Sequence, residues 1–403
     1  MYILPSLLIV LLGGAAGATF SEPSPSPSWG FFAHRRINRL AVYTLPPELG
    51  VGFRPQADYL AEHAVDPDKR RYATEYEAVR HYIDLDHWGE LPFDDVPRSY
   101  LDALVWRGGL DVVNTAGDTS HWRLDTVLFD QAILTSGATS FDLPLADYRR
   151  LWQSAVLPAM YADRAVVTDS LHRLDFPDTV GTVYPVDNFS AHGILPYHLL
   201  RHHRQLTDAF VAGDADRILQ LAAEIGHYIG DAHVPLHTTE NYNGQLTNQL
   251  GIHAFWESRL PELFADTNYD YFVGPADYIS DPADYYWDIV LESHALVDSV
   301  LATEARLRQE FSSDQQLCVE ERLGREVRTQ CREYAAAWSQ AMNGMVEDRF
   351  RAAVRAVGSA WYSCWVDAGQ PVLNEELVRV LPQPVRSDFV PAAPTGRSGR
   401  THE

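Results

Sequence analysis

The sequence is short of basic residues. Its 403 residues include 32 lysines and arginines against 55 aspartates and glutamates, which gives a formal net charge of −23. A negative net charge argues against non-specific binding of nucleic acid through a basic face. A nucleic-acid substrate stays open, because bound divalent cations are not part of this count and would dominate the field around them.

Cysteine is also scarce, and its three residues all lie late in the chain, at Cys318, Cys331 and Cys364. They are remote in sequence from the histidines described below, so nothing marks them as metal ligands. A Cys318–Cys331 disulfide in an oxidising compartment would leave Cys364 free, but the sequence alone leaves the pairing open.

Apolar runs long enough for a membrane span are lacking. Residues 7–12 form a short apolar core, and Ala16-Gly17-Ala18 is similar to a signal-peptidase cleavage site. We therefore expect a signal peptide over residues 1–18, a secreted or periplasmic protein, and no transmembrane segment in the mature chain. No basic residue precedes the apolar core, and an uncleaved membrane anchor is the alternative.

Strand signals are sparse, no internal repeat is evident, and most of the remaining pattern is helical. A Pro/Ser linker over residues 19–28 precedes one domain over residues 29–371, and a Pro-rich tail over residues 372–403 is expected to be disordered. Residues 93–145 are less regular. The predicted helical segments are 34–41, 58–64, 147–174 with a kink or break at Pro158, 191–211, one capped by Asp214, 288–311 and 321–361. The fold class is therefore mainly α, a single multi-helix domain with a cleft between helices.

One histidine-rich stretch, residues 224–257, reads EIGHYIGDAHVPLHTTENYNGQLTNQLGIHAFWE. His227 and Asp231 are four residues apart, as are His253 and Glu257, and this spacing puts each pair on one face of a helix. A lone pair of this kind is usually a hydrogen-bonded structural pair. Doubled pairs on otherwise apolar segments favour a metal instead, because buried charges need partners, and imidazole with carboxylate suits zinc. The stretch therefore predicts a binuclear or larger metal site.

Residues 227–241, HYIGDAHVPLHTTEN, resemble the signature of zinc-dependent phospholipase C. That signature runs His-Tyr-x-Gly-Asp, two residues, x-Pro-x-His, and closes on Asn. Here Thr238 stands where that family prefers Pro or Ala, and Asn241 comes one residue late. The segment is also similar to secreted zinc nucleases specific for single strands, which have a His–x–x–x–Asp…Pro-Leu-His core. Both resemblances imply a mainly helical fold with a trinuclear zinc cleft between helices.

The resemblance implies zinc as the cofactor, three ions per chain, held by nine residues. By ion, these are Asp66, His81, His227 and Asp231 for the first; His237, His253 and Glu257 for the second; and Trp29, His34 and a shared Asp231 for the third.

Two features distinguish the pattern of the zinc nucleases from that of zinc-dependent phospholipase C. Five residues from Trp29 to His34 and fifteen from Asp66 to His81 look like the nucleases. Glu257 as the last ligand looks like phospholipase C, since the nucleases use Asp there. In both families the Trp is the mature N-terminus, and its free amine binds the third zinc. Here either a second cleavage exposes Trp29, or the third zinc keeps only the Trp29 carbonyl.

The implied activity is zinc-dependent hydrolysis of a phosphodiester bond, as in phospholipase C, with Asp66 orienting or deprotonating the attacking water. No Ser/His/Asp triad stands out. The implied substrate is a phospholipid; the alternatives are single-stranded nucleic acid, bound by aromatic stacking, and a non-catalytic secreted metal-binding protein. No stable protein partner is implied. His192, His198, His202 and His203 are expected mostly to face solvent or to lie behind ligands, and His233 is not expected to be a ligand.

Overall fold

The computed structural model describes residues 30–71, 74–167, 169–172, 174, 181–322 and 325–373. The chain is mostly helical, with 59% helix and 13% strand around a multi-helix core, so the prediction of a mainly helical fold is confirmed. The predicted signal peptide, the Pro/Ser linker, Trp29 and residues 374–403 lie outside the described residues. No helix in the described ranges is long and apolar enough to cross a membrane.

The helices of the described ranges are α1 (Gly30–Ala41), α2 (Pro47–Phe53), α3 (Ala57–His63), α4 (Asp66–Arg71), α5 (Glu75–Ala78), α6 (Tyr100–Arg107), α7 (Leu145–Leu151), α8 (Leu157–Tyr161), α9 (Asp169–His172), α10 (Leu195–Ala212), α11 (Ala215–Ala232), α12 (Ile252–Ala254), α13 (Leu260–Asn268), α14 (Pro282–His294), α15 (Val297–Glu310), α16 (Ser313–Gln316), α17 (Arg332–Ala341) and α18 (Met345–Asp367). A 3₁₀ turn, Pro235–Thr238, and a π-helical turn, Phe255–Arg259, matter for the site.

The strands are β1 (Gly109–Val113), β2 (Thr119–Leu128), β3 (Gln131–Ser136), β4 (Thr139–Pro144), β5 (Thr182–Val186), β6 (Leu317–Arg322) and β7 (Arg325–Gln330). The first five form an antiparallel sheet in the order β4-β3-β2-β1-β5, and β6 and β7 form a hairpin.

This sheet corrects the expectation of an irregular segment over residues 93–145. Alternate residues of β2 point inward, so Trp122 and Leu124 are buried while His121, Arg123 and Asp125 face outward. Such a strand buries only one face, and half of its residues are polar. That alternation is the reason why the segment has little apolar content, although it forms a packed sheet.

The helical core is organised around α11. Asp214 caps this helix as predicted, since its side chain accepts a hydrogen bond from the backbone N–H of Arg217 at 3.1 Å. From Leu221 to Ala232 every residue is buried, as expected for a helix surrounded by others. Trp361 of α18 donates to the carbonyl of Ala222 at 2.9 Å, which ties α18 to this central helix.

The C-terminal third corrects two further helix predictions. The segment 288–311 is divided between α14 and α15, and the segment 321–361 begins with the β6–β7 hairpin before α17 and α18. Positive φ angles at Asn343 (50°) and Gly344 (83°) separate these two helices. A disulfide joins Cys318 to Cys331 across the hairpin, and Cys364 is free and buried.

In the predicted segment 147–174, one run of helix ends at Tyr161 and a separate short helix, α9, follows. The first run passes from α7 through a π-helical segment, Trp152–Val156, into α8. Pro158 lies in the first turn of α8, where its missing N–H is tolerated. The irregularity predicted at this proline therefore takes the form of a π segment just before it.

Candidate metal centre

Eight imidazole and carboxylate side chains converge between α1, α4, α11 and the turns that follow α11. They form three groups, two of which share His227, and within each group the donor atoms lie within 4.8 Å of one another. The eight are His34, Asp68, His81, His227, Asp231, His237, His253 and Glu257.

The first group lies where α4, α11 and the segment after α5 meet. Nε2 of His227 is 3.0 Å from Nδ1 of His81. Oδ2 of Asp231 is 2.9 Å from the same nitrogen of His81 and 3.3 Å from His227. Oδ1 of Asp68 lies 3.9 and 3.8 Å from the two histidines. A tetrahedral zinc with ligands near 2.1 Å needs donor atoms about 3.4 Å apart, so Asp68, His81 and His227 fit one ion, and Asp231 lies close to both of these histidines.

The second group lies on three segments that follow α11: a 3₁₀ turn, the short helix α12, which carries His253, and a π-helical turn. The 3₁₀ turn that starts at Pro235 carries His237, and the π-helical turn carries Glu257. Oε2 of Glu257 is 2.7 Å from Nε2 of His253 and 3.5 Å from Nε2 of His237. These three donors also suit one zinc, and fewer than four protein ligands leave a position for water or substrate.

His34 connects the other groups from the side of α1. Its Nε2 lies 3.4 Å from Oδ1 of Asp231 and 3.4 Å from Oε1 of Glu257. Its ring stacks on that of His227, with centroids 4.0 Å apart. The contact with Glu257 was not expected from the sequence. Through His34, Asp231 and Glu257 are each shared between His34 and the histidines of another group.

The two shared carboxylates differ in their protonation. Burial raises the pKa of Asp231 to about 7, against the opposing charges of His237 and His34. Burial also opposes ionisation of Glu257, but hydrogen bonds from His237, His253 and His34 outweigh it and hold the pKa of Glu257 well below its usual range. Without a cation, Asp231 therefore carries a proton over part of the neutral range, whereas Glu257 is an acceptor.

Asp66, a predicted ligand, lies outside the cluster, and Asp68 lies inside it. Asp66 begins α4 and points toward the surface, where its carboxylate lies 2.6 Å from Nδ1 of His63 and 2.8 Å from Nζ of Lys69. Asp68 is on the buried face of α4. Residues two apart on a helix project about 200° from each other, so only one of the two aspartates can face the cluster.

The other polar residues of the region support the loops around the cluster. Asp86 accepts hydrogen bonds from the hydroxyl of Thr239 at 2.6 Å and from the N–H of Glu240 at 2.9 Å. The N–H of Ile83 donates to the carbonyl of His237 at 2.9 Å. His233 is buried and its Nδ1 lies 2.7 Å from the carbonyl of Ile229, a structural role that places it outside the donor groups.

For His198, His202 and His203 on α10, the first of the two expected positions, facing solvent, is wrong. His198, His202 and His203 are all buried. Burial lowers the pKa of His202 to about 3 and that of His203 to about 4. Nδ1 of His203 lies 2.8 Å from the hydroxyl of Tyr286. These are neutral core histidines, and adjacency in sequence did not prevent His202 and His203 from both being enclosed by neighbouring helices.

Seven of the nine predicted zinc ligands lie together in the cluster, Asp66 does not, and Trp29 lies outside the described residues. No family model matches the chain, and no curated protein matches it either. The resemblance to zinc phospholipase C and zinc nucleases therefore depends on the motif residues alone.

Proposed function

We propose that the chain is a zinc-dependent phosphoric ester hydrolase that cleaves a phosphodiester bond. The observation that carries the proposal is the position of Asp231. Its Oδ2 lies 2.9 Å from Nδ1 of His81, and its Oδ1 lies 3.4 Å from Nε2 of His34 and 3.8 Å from Nε2 of His237. A buried carboxylate that lies close to a histidine of each donor group suits closely spaced ions, which is the arrangement that clamps phosphate in multi-metal hydrolases.

Zinc, when bound, supplies a Lewis acid for a phosphoryl oxygen and lowers the pKa of a water molecule. The residues of the chain hold the donors in place before substrate arrives. Asp68 takes the role first given to Asp66, orienting or deprotonating the attacking water beside His81 and His227. Arg71 fixes Asp68, with its guanidinium 3.3 Å from Oδ1, and both side chains are less than a tenth exposed. Its positive charge next to the first group favours an anionic phosphoryl group.

A phospholipid headgroup is the proposed substrate. Two features support it over a polyanion: the formal net charge of −23, which repels a nucleic-acid backbone, and Glu257 as the last ligand, as in phospholipase C. The described carboxylates next to the cluster, Asp86 and Glu240, add negative charge at its edge. These features support a zwitterionic substrate with one phosphodiester.

Single-stranded nucleic acid is the second candidate. The observation that favours it is the five-residue spacing from Trp29 to His34, which is that of the zinc nucleases. Its binding would depend on base stacking and on phosphate contacts with the metal ions rather than on a basic face.

Matched assays on one preparation separate these functions. The full chain is dialysed against a chelator, reloaded with zinc, and given phosphatidylcholine vesicles or a single-stranded oligonucleotide. We expect zinc-dependent release of phosphorylcholine at a rate well above the release of nucleotides. Preferential nucleotide release would support the nuclease. Cleavage of either substrate by the metal-free chain, or of neither by the zinc-loaded chain, would contradict the proposal.

A further inference from the structure

A buried carboxylate, Glu77, lies behind the first group. Its side chain is 2% exposed, and it precedes His81 by four residues. Oε1 of Glu77 lies 3.9 Å from Nε2 of His81. The other nitrogen of that ring, Nδ1, faces the donor group, 2.9 Å from Asp231 and 3.0 Å from His227. The two nitrogens of His81 therefore face opposite ways, one toward the metal centre and one toward Glu77.

Glu77 is held in place by residues of three elements. The hydroxyl of Tyr228, on α11, donates to Oε1. Arg80 donates to Oε2 at 2.6 Å, and Nε of Arg70, on α4, lies 3.5 Å from the same oxygen. The two guanidinium groups offset the cost of burying a carboxylate. Burial and the charge of Glu77 raise the pKa of Tyr228 well above its ordinary value, so the phenol keeps the proton that it donates.

We propose that Glu77 is a positioning residue for the metal centre: it accepts the Nε2 proton of His81 in a hydrogen bond and so turns the Nδ1 lone pair toward the first group. Histidines that bind metals commonly donate their second N–H to a carboxylate, which fixes the tautomer and makes the ligand more basic. A cation at Nδ1 makes Nε2–H a stronger donor. If Nε2 of His81 and Oε1 of Glu77 approach each other by about 1 Å, their separation reaches hydrogen-bond length.

The same buried network contains a matched control, Glu224. It accepts a hydrogen bond from Nη1 of Arg70 at 2.8 Å and from Nε2 of Gln220 at 3.0 Å. Like Glu77 it is a buried carboxylate that shares Arg70, but its described hydrogen bonds go to Arg70 and Gln220 and not to His81. Glu224→Gln therefore removes an equivalent charge without removing the proposed acceptor.

The experiment compares Glu77→Gln, Glu224→Gln and Tyr228→Phe with the unmodified full chain. Zinc affinity is measured by competition with a chromophoric chelator, the ligand field by the visible spectrum of the cobalt-loaded protein, and stability by the melting temperature of the metal-free protein. We expect Glu77→Gln to weaken zinc binding roughly 10–100-fold and to change the cobalt spectrum. Glu224→Gln should keep both within error of the unmodified chain, even if both variants lower the melting temperature.

Equal losses of zinc affinity in Glu77→Gln and Glu224→Gln would overturn the proposal, as would unchanged affinity in Glu77→Gln. If Glu77→Gln does not fold, Tyr228→Phe decides, because it keeps every charge and frees Oε1 of Glu77 to turn. Weakened zinc binding in that variant supports the proposal, and unchanged binding overturns it. The inference rests on the proposed metal centre; an unmodified chain that binds no zinc would contradict that centre itself, so the two failures are distinguishable.

Discussion

Gly230 lies directly against the ring of His34. A Cβ at Gly230 would be 2.8 Å from Nδ1 of His34 and 3.0 Å from Cε1, closer than ordinary Cβ contacts. The absence of a side chain at this position of α11 lets α1 bring His34 to within 3.4 Å of Asp231. The close approach of these two helices is therefore a condition for the part of the candidate metal centre that involves His34.

We predict that Gly230→Ala lowers zinc content while the fold is kept. The added methyl group displaces the ring of His34, whereas alanine in a helix interior is about 1 kcal/mol more favourable than glycine. Metal analysis and thermal unfolding of the same preparation measure the two effects. Gly226→Ala is the control: its Cβ would meet Oδ1 of Asn38 at 1.9 Å, so stability should fall more than zinc content. Full zinc content in Gly230→Ala would contradict the role of the close approach.

Substitutions of Asp68 and Asp66 should differ strongly in their effect on phosphodiester hydrolysis. Asp68→Asn removes a carboxylate from the first group and should lower phosphodiester hydrolysis by at least about 100-fold, in the range of other positioned electrostatic groups. Asp66→Asn removes only partly exposed contacts with His63 and Lys69, worth about 1 kcal/mol or less of stability. Initial rates at saturating zinc measure both. A large loss in Asp66→Asn with a small loss in Asp68→Asn would restore the assignment made from the sequence.

Zinc binding should release more protons at pH 6 than at pH 8. The pKa of Asp231 in the metal-free protein is raised to about 7 by burial, so this carboxyl is mostly protonated at pH 6 and mostly ionised at pH 8. A bound cation requires the ionised form, and zinc affinity should therefore fall as the pH falls below about 7. Calorimetric titrations in buffers of different ionisation enthalpy count the protons. Equal proton release at the two pH values would refute the prediction.

Stability of the metal-free protein should decrease between pH 6 and pH 5. Burial lowers the pKa of His202 to about 3 and that of His203 to about 4. The unfolded chain takes up protons near pH 6.5, but the folded chain does not until the pH is much lower. The stability associated with these groups is complete above about pH 6.5 and is lost as the pH falls toward 4, by about 1 kcal/mol per histidine between pH 6 and pH 5.

Urea unfolding in a chelator at pH 6 and pH 5 measures this loss. His203→Gln should reduce the difference between the two pH values by about 1 kcal/mol, whereas substitution of the exposed His121 should leave it unchanged. The prediction fails if the free energy of unfolding is the same at both pH values.

The pairing of His227 with Asp231 on α11 was predictable because helical geometry is local. Residues four apart on a helix must lie on one face, and the structure places His227 and Asp231 3.3 Å apart. Asp66 and Asp68 could not be separated in this way, since they flank Pro67 on the same short helix and only the packing of α4 against α11 decides which one is buried. Glu77 gave no signal of its own, because its partners come from three elements.

The five-stranded sheet was missed for a different reason. β1 pairs with β5 through Gly109 and Val186, which are far apart in sequence, and no local pattern specifies such a pairing. The strands bury one face and expose polar residues on the other, so their apolar content is low. Burial of the α10 histidines likewise depends on helices that come later in the chain.

The number of zinc ions bound per chain is the most direct test of the proposed metal centre. The full chain is stripped with a chelator, dialysed against a small excess of zinc, and analysed for metal by mass spectrometry, with His227→Ala as the comparison. His227 belongs to two of the three donor groups. We predict at least two zinc ions per unmodified chain, with the loss of one or more in the variant. Less than one zinc per chain, or the same content in both proteins, would contradict this prediction.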